Sequence, residues 1–185
     1  MSPRPDIDPV AALSPMTASD RLAAWIARGL GVVSVACIAA MLILTAANVF
    51  GRYLLDAPIR GAEELTGFLI VATLMFGAPE AHRRGEHIAV DLIEATATPR
   101  TRWLLGLLAE LAVIVVALTI AWTGWETVSF SRAFGIYSPG YMQVPMWTVQ
   151  LPLVIGGIAL ALVAALKLVS MLGKSGLHAS GRRQP

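Results

Sequence analysis

The feature that most constrains this chain is a run of 23 residues without a formal charge, Gly29 to Gly51, between Arg28 and Arg52. As a helix rising about 1.5 Å per residue, this run is about 34 Å long, enough to cross the roughly 30 Å hydrocarbon core of a bilayer. Charged residues make up only 14% of the sequence, against about 25% in an average soluble domain. The chain is therefore predicted to be an integral membrane protein.

Three further apolar stretches predict one all-α domain, a bundle of four transmembrane helices. The second stretch has a short uncharged core, Leu65 to Pro79, so its helix must include polar turns or remain short. The third lies between Arg102 and Glu126, which are 24 positions apart. We expect helices at about 23–51, 64–82, 102–126 and 144–168, in a transmembrane domain of residues 21–172, with a disordered lead over 1–20 and a disordered tail over 173–185.

The start of the fourth helix follows from proline and glycine. Arg132 and Lys167 bracket 34 uncharged residues, which are too many for one crossing. Pro139 and Gly140 break the first part of this run, and Pro145 suits a first helical turn.

The basic residues predict the orientation. Four crossings put both termini on one side, and that side would carry eleven arginines and lysines against three on the other. Because basic residues favour the cytoplasmic side of a membrane, we expect both termini and the loop between the second and third helices to be cytoplasmic.

A first polar cluster joins the end of the first helix to the start of the second. Asn48 and Arg52 are four positions apart and share a helix face, followed by Tyr53 and, after a turn, by Glu63 and Glu64. A charge in the membrane is costly, so Arg52 has reason to pair with one glutamate. Two interpretations remain open: an assembly clamp inside the bundle or against a partner, or carboxylates that touch a transported ion.

A second cluster follows the second helix. If the segment is helical, Glu80 can pair with Arg83 or Arg84, and Gly85 would end the helix. We expect a solvated cytoplasmic turn that contacts phosphates or a partner loop; a metal site is the alternative, but it needs three or four convergent ligands. The residues of this loop motif are His82, Arg83, Arg84, Gly85, His87 and Asp91.

Glu110 is the strongest single candidate for a functional group inside the membrane. It lies eight positions beyond Arg102, about 12 Å along a helix. Such a carboxylate needs a partner, or a route to the arginine-rich inner loops. Its role, structural or functional, stays open at this point.

Enzymatic and autonomous transport functions find little support in the sequence. A haem subunit or a serine hydrolase would need histidines on the spanning helices, whereas His82 and His87 are expected in a loop. A lone transporter usually contains internal repeats with broken helices, and none is evident. We therefore expect no catalytic residue, no cofactor or metal site and no nucleic-acid partner.

The motifs, in their order and spacing along the chain, resemble those of a known family, the DctQ-type small permease subunit of tripartite ATP-independent periplasmic (TRAP) transporters. The resemblance rests on four segments of the sequence and covers nearly the whole membrane region. The family usually has a tryptophan shortly before the paired glutamates, where this chain reads Pro58-Ile59-Arg60-Gly61-Ala62. The matching segments are Asn48-Val49-Phe50-Gly51-Arg52-Tyr53, Glu63-Glu64-Leu65, Gly77-Ala78 with His82 to Asp91, and Pro145, Trp147 and Pro152.

The resemblance implies a non-catalytic scaffold subunit in a bacterial inner membrane. Its partners would be a large permease subunit that holds the substrate and sodium sites, a periplasmic solute-binding protein that delivers an organic acid, and membrane lipids. The alternative is a small anchor subunit of a membrane oxidoreductase.

Overall fold

A computed structural model describes residues 18–85 and 99–180, and these residues form a bundle of four helices. The four helices are α1 (Ala18–Leu54), α2 (Ala62–Arg84), α3 (Pro99–Ala133) and α4 (Met146–Ser180). By length and composition each helix can cross a membrane. The predicted all-α membrane fold is confirmed.

Most helices extend further than the sequence indicated. The third helix continues past Glu126 to Ala133, and the exposed Glu126 carboxylate accepts a hydrogen bond from Trp122 Nε1, one turn earlier, at 3.1 Å. The fourth helix begins directly after Pro145 and continues to Ser180, into the segment for which we expected disorder. Of the expected lead, residues 1–17 lie outside the described part of the chain.

The ends of α2 are set by two glycines in the left-handed region. Gly61 precedes the helix with a φ of 83°, and Gly85 follows it with a φ of 75° while its N–H bonds to the His82 carbonyl. Only glycine adopts such angles without steric cost. Acidic side chains occupy the first turn and basic ones the last, which complements the helix dipole.

The segment between α3 and α4 folds into a short hairpin. The Ser138 N–H donates to the Val144 carbonyl at 2.8 Å, and the Met146 N–H donates to the Ile136 carbonyl at 2.9 Å. The hairpin contains Pro139 and Gly140, where the sequence predicted a break.

Helix α4 packs against each of the other three helices. A methyl group at Gly156 would lie 2.5 Å from the Met75 carbonyl oxygen of α2, and one at Gly157 would lie 2.9 Å from the Ala121 nitrogen of α3. Small residues therefore allow close approach on both sides of α4. The buried core consists mainly of alanine and valine.

The helices alternate in direction, which gives the bundle two ends. We call them the His82 end, where α2 and α4 end, and the Glu64 end, where α2 and α4 begin. Gly31 of α1 lies beside Glu80 of α2 near the first end, and Asn48 bonds to the Ile59 backbone near the second.

Candidate functional site

A buried ionic cluster ties three helices together near the His82 end. Glu110 Oε2 of α3 lies 2.8 Å from His82 Nε2 of α2, and Glu110 Oε1 lies 2.6 Å from Lys167 Nζ of α4. The side chains of His82 and Glu110 are only 4% and 6% exposed, and that of Lys167 is 35% exposed. Both carboxylate oxygens are therefore engaged by side chains of other helices.

The physical effect of this cluster is a cross-link between α2, α3 and α4. A carboxylate removed from water is costly unless it is paired and hydrogen-bonded. Its two partners belong to the neighbouring helices α2 and α4. The carboxylate therefore stays paired as long as the three helices keep their relative positions. Glu110 thus links α3 to both α2 and α4.

A second ionic group lies close by on the surface of α2. Glu80 accepts two hydrogen bonds from Arg83 and one from Arg84, each at 2.8 Å. The sequence predicted that Glu80 pairs with one of these arginines, and the structure has it pair with both. This group is more exposed than the Glu110 cluster, particularly at Arg84.

Two expectations for the His82 end are wrong. His82 does not lie in a solvated turn but inside α2, because the helix continues through Arg84 and directs the imidazole towards α3. Glu110 does not extend towards arginines of the inner loops, since His82 and Lys167 already bind both of its oxygens. His87 and Asp91 lie outside the described residues.

At the Glu64 end, the carboxylate of Glu64 holds the hairpin between α3 and α4. It accepts a hydrogen bond from the Ser138 hydroxyl and a second from the Met142 N–H at 3.1 Å. Gly140 lies so close that a methyl group there would collide with the carboxylate. In addition, the Arg60 guanidinium lies 5.4 Å from the centre of the Tyr141 ring. The two loops at this end therefore contact each other.

The other residues of the first predicted cluster have different roles. Asn48 Oδ1 accepts a hydrogen bond from the Ile59 N–H at 3.0 Å and so fixes the loop between α1 and α2. The exposed Arg52 guanidinium lies 5.9 Å from the ring centre of Tyr53, which is itself 77% exposed. Glu63 is exposed at the start of α2.

The predicted ion pair of Arg52 with Glu63 or Glu64 does not form between the described residues. The reason is that Glu64 turns towards the hairpin, where Ser138 and Met142 satisfy its oxygens. All three charged side chains nevertheless line one groove at this end, together with Asn48 and Tyr141.

Sequence reasoning missed two residues of these clusters. Lys167 served to mark the end of a span and to set the orientation, although it is the first charge after 34 uncharged residues and therefore needs a partner. Ser138 carried no signal, because its partner Glu64 is 74 positions away. Among the described residues, no group of three histidine, cysteine, aspartate or glutamate side chains is placed to hold a metal ion.

Comparison with known proteins identifies a family over most of the chain. Residues 41–173 match the family described as Tripartite ATP-independent periplasmic transporters, DctQ component. The chain is also similar to the C4-dicarboxylate TRAP transporter small permease protein DctQ of Vibrio cholerae serotype O1 (strain ATCC 39315 / El Tor Inaba N16961), with 36% identity over 98 residues. That alignment covers 51% of this chain and 42% of the relative. The region matching the family contains both Glu64 and Glu110.

Proposed function

Because the chain belongs to the DctQ component family of tripartite ATP-independent periplasmic transporters, we propose that it braces the large permease subunit of such a transporter. The family is a transporter component and not an enzyme. With four helices that can each cross a membrane, the chain is a multi-pass protein of the bacterial inner membrane. The large subunit would contain the substrate site, and this chain would keep part of the large subunit in a fixed position.

The observation that carries this proposal is the engagement of Glu110. Its two carboxylate oxygens bind His82 of α2 and Lys167 of α4. A carboxylate that takes part in transport must exchange partners during the cycle, whereas one that braces a bundle keeps them. The same argument applies to Glu64, whose oxygens are bound by the hairpin. These contacts favour a rigid scaffold over a site for a moving ion.

The proposed process is sodium-coupled uptake of an organic acid that a periplasmic solute-binding protein delivers. The name of the Vibrio relative mentions a C4-dicarboxylate, which supports a carboxylate as the substrate class. We also propose that the Glu64 end faces the periplasm, where the hairpin would lie near the binding protein. The distribution of arginine and lysine supports this orientation.

The experiment is reconstitution with and without the chain. The gene is co-expressed with those of a large permease and a binding protein, and uptake of labelled dicarboxylates is measured in liposomes with an inward sodium gradient. We expect uptake only when both membrane subunits and the binding protein are present. Uptake by the chain alone would contradict the scaffold role, and a haem spectrum in the purified chain would favour the oxidoreductase anchor instead.

A further inference from the structure

An apolar groove runs along the outer surface between α1 and α4. Ile26 and Leu30 of α1 and Ile158 and Leu162 of α4 contribute to its walls. Arg28 also lines the groove and is the one charged residue to do so in the described part of the chain. The groove thus combines an apolar surface with a single cation.

The position of Arg28 places this cation at the edge of the hydrocarbon. The uncharged run that follows it, Gly29 to Gly51, is about 34 Å long as a helix and fills the roughly 30 Å core. Trp25, which also lines the groove, lies about one turn further out and is 77% exposed. Tryptophan favours the level of the lipid headgroups. Arg28 therefore lies near the level of lipid phosphates.

Arg28 also differs in its pairing from the basic residues of α2 and α4 at this end of the bundle. Arg83 and Arg84 bind Glu80, and Lys167 binds Glu110. No ion pair joins Arg28 to another residue within 18–85 or 99–180. A guanidinium at the edge of the membrane that no described carboxylate binds can bind the phosphate of a lipid.

We propose that this groove binds one anionic phospholipid, with the phosphate on Arg28 and an acyl chain between α1 and α4. The dimensions fit one leaflet. Ile155 and Leu162, which line the groove on α4, are seven positions apart, or about 10 Å along the axis. This is less than half of the roughly 30 Å hydrocarbon core. Such a lipid would occupy the groove on the outer surface of the scaffold. It would not take part in the contacts that hold the bundle together.

The first test measures lipid affinity at Arg28. The full chain is purified in mild detergent, delipidated and titrated with phosphatidylglycerol, and bound lipid is counted by native mass spectrometry. We expect Arg28→Gln to bind about fivefold more weakly, the effect of about 1 kcal/mol for one basic residue near a lipid surface. Arg28→Lys should stay close to the unmodified chain because it keeps the charge. Arg84→Gln, at the same end but outside the groove, is the control.

The second test fills the groove without removing charge. Gly29 lines the groove, and a Cβ atom built there meets nothing within 4 Å. Gly29→Leu should therefore fold normally and reduce binding of phosphatidylglycerol several-fold. The matched control is Gly67→Leu on α2, which also meets nothing within 4 Å and lies outside the groove.

Two results would overturn the proposal. One is equal affinity for phosphatidylglycerol in the unmodified chain, Arg28→Gln and Gly29→Leu, with circular dichroism showing that all three are folded. The other is that Gly29→Leu leaves lipid binding unchanged but prevents co-purification of the large permease, because a partner helix would then occupy the groove.

Discussion

The Lys167 ammonium group of α4 lies 2.6 Å from the Glu110 carboxylate of α3. Burying either charge alone inside a membrane bundle would cost free energy. The pairing of the two charges lowers this cost for both. Through His82, the same carboxylate also reaches α2. Among the described residues, the ion pair with the shortest distance therefore joins two different helices.

This geometry predicts that Glu110→Gln destabilises the isolated chain. The substitution leaves Lys167 and His82 without their anion, and the free energy of unfolding should fall by about 3 kcal/mol, the lower end for breaking a buried pair. Unfolding in a denaturing detergent, followed by circular dichroism, measures the loss. Glu126→Gln is the matched control on α3, since this exposed residue bonds only to Trp122 one turn away. Equal stability of the two variants would refute the role of the cluster.

A double-mutant cycle should show that Glu110 and Lys167 are coupled. Once Glu110→Gln is present, the further change Lys167→Gln should cost less than it does alone, because its partner is already neutral. We expect a coupling energy of about 1–3 kcal/mol. Additive losses would mean that the two side chains are close without interacting.

The hydrogen bond from Ser138 to Glu64 predicts that Ser138→Ala loosens the hairpin. A bond to a charged group contributes about 1.5–3 kcal/mol, so cleavage within the hairpin by a soluble protease should be faster in the variant. Ser129→Ala, at an exposed position of α3, serves as the control. Gly140→Ala should have the same effect as Ser138→Ala, because its methyl group would collide with the carboxylate. Unchanged cleavage in both variants would argue against this contact.

Arg52 should matter for assembly and not for the stability of the chain. It is exposed and forms no ion pair with Glu63 or Glu64, so Arg52→Gln should change the free energy of unfolding by less than about 0.5 kcal/mol. If it faces the large permease, the complex should weaken roughly tenfold, which corresponds to about 1.4 kcal/mol. Exchange of the charges, Arg52→Glu with Glu64→Arg, should not restore assembly. Restoration would mean that the two residues do pair in the complex.

The proposed orientation predicts labelling from opposite sides of the membrane. Cysteines are placed at Pro139 and Ser175 in a chain without Cys37, and intact cells are treated with an impermeant thiol reagent. We choose Pro139 because it is exposed, whereas the adjacent Ser138 is buried and bound to Glu64. Only the cysteine at 139 should react before the cells are opened. Labelling of both positions in intact cells would mean that α4 does not cross the membrane between them, which would contradict the four-crossing topology.

The sequence by itself determined the class of the fold and the number of helices. An uncharged run long enough to cross the membrane is stable there as a helix, because a helix satisfies every backbone polar group within its own segment. A local signal also marked the end of α2, since Gly85 was predicted to end the helix and adopts a positive φ directly after Arg84. Pro139, Gly140 and Pro145 likewise predicted the break before α4, but not the hairpin that the chain forms there.

Tertiary structure alone decided which side chains meet between distant parts of the chain, whereas the pairing of Glu80 within α2 was predicted locally. Arg52 and Glu64 are close in sequence, yet Glu64 binds Ser138, 74 positions away, because the hairpin reaches its carboxylate. His82 is placed by the continuation of α2 and by the packing of α3 beside it, neither of which a local pattern contains. Lys167 reaches Glu110 only because α4 packs against α3 in one rotation, which small residues such as Gly157 permit. Local sequence sets the length and ends of a helix, whereas the rotation of one helix against another depends on contacts between distant residues.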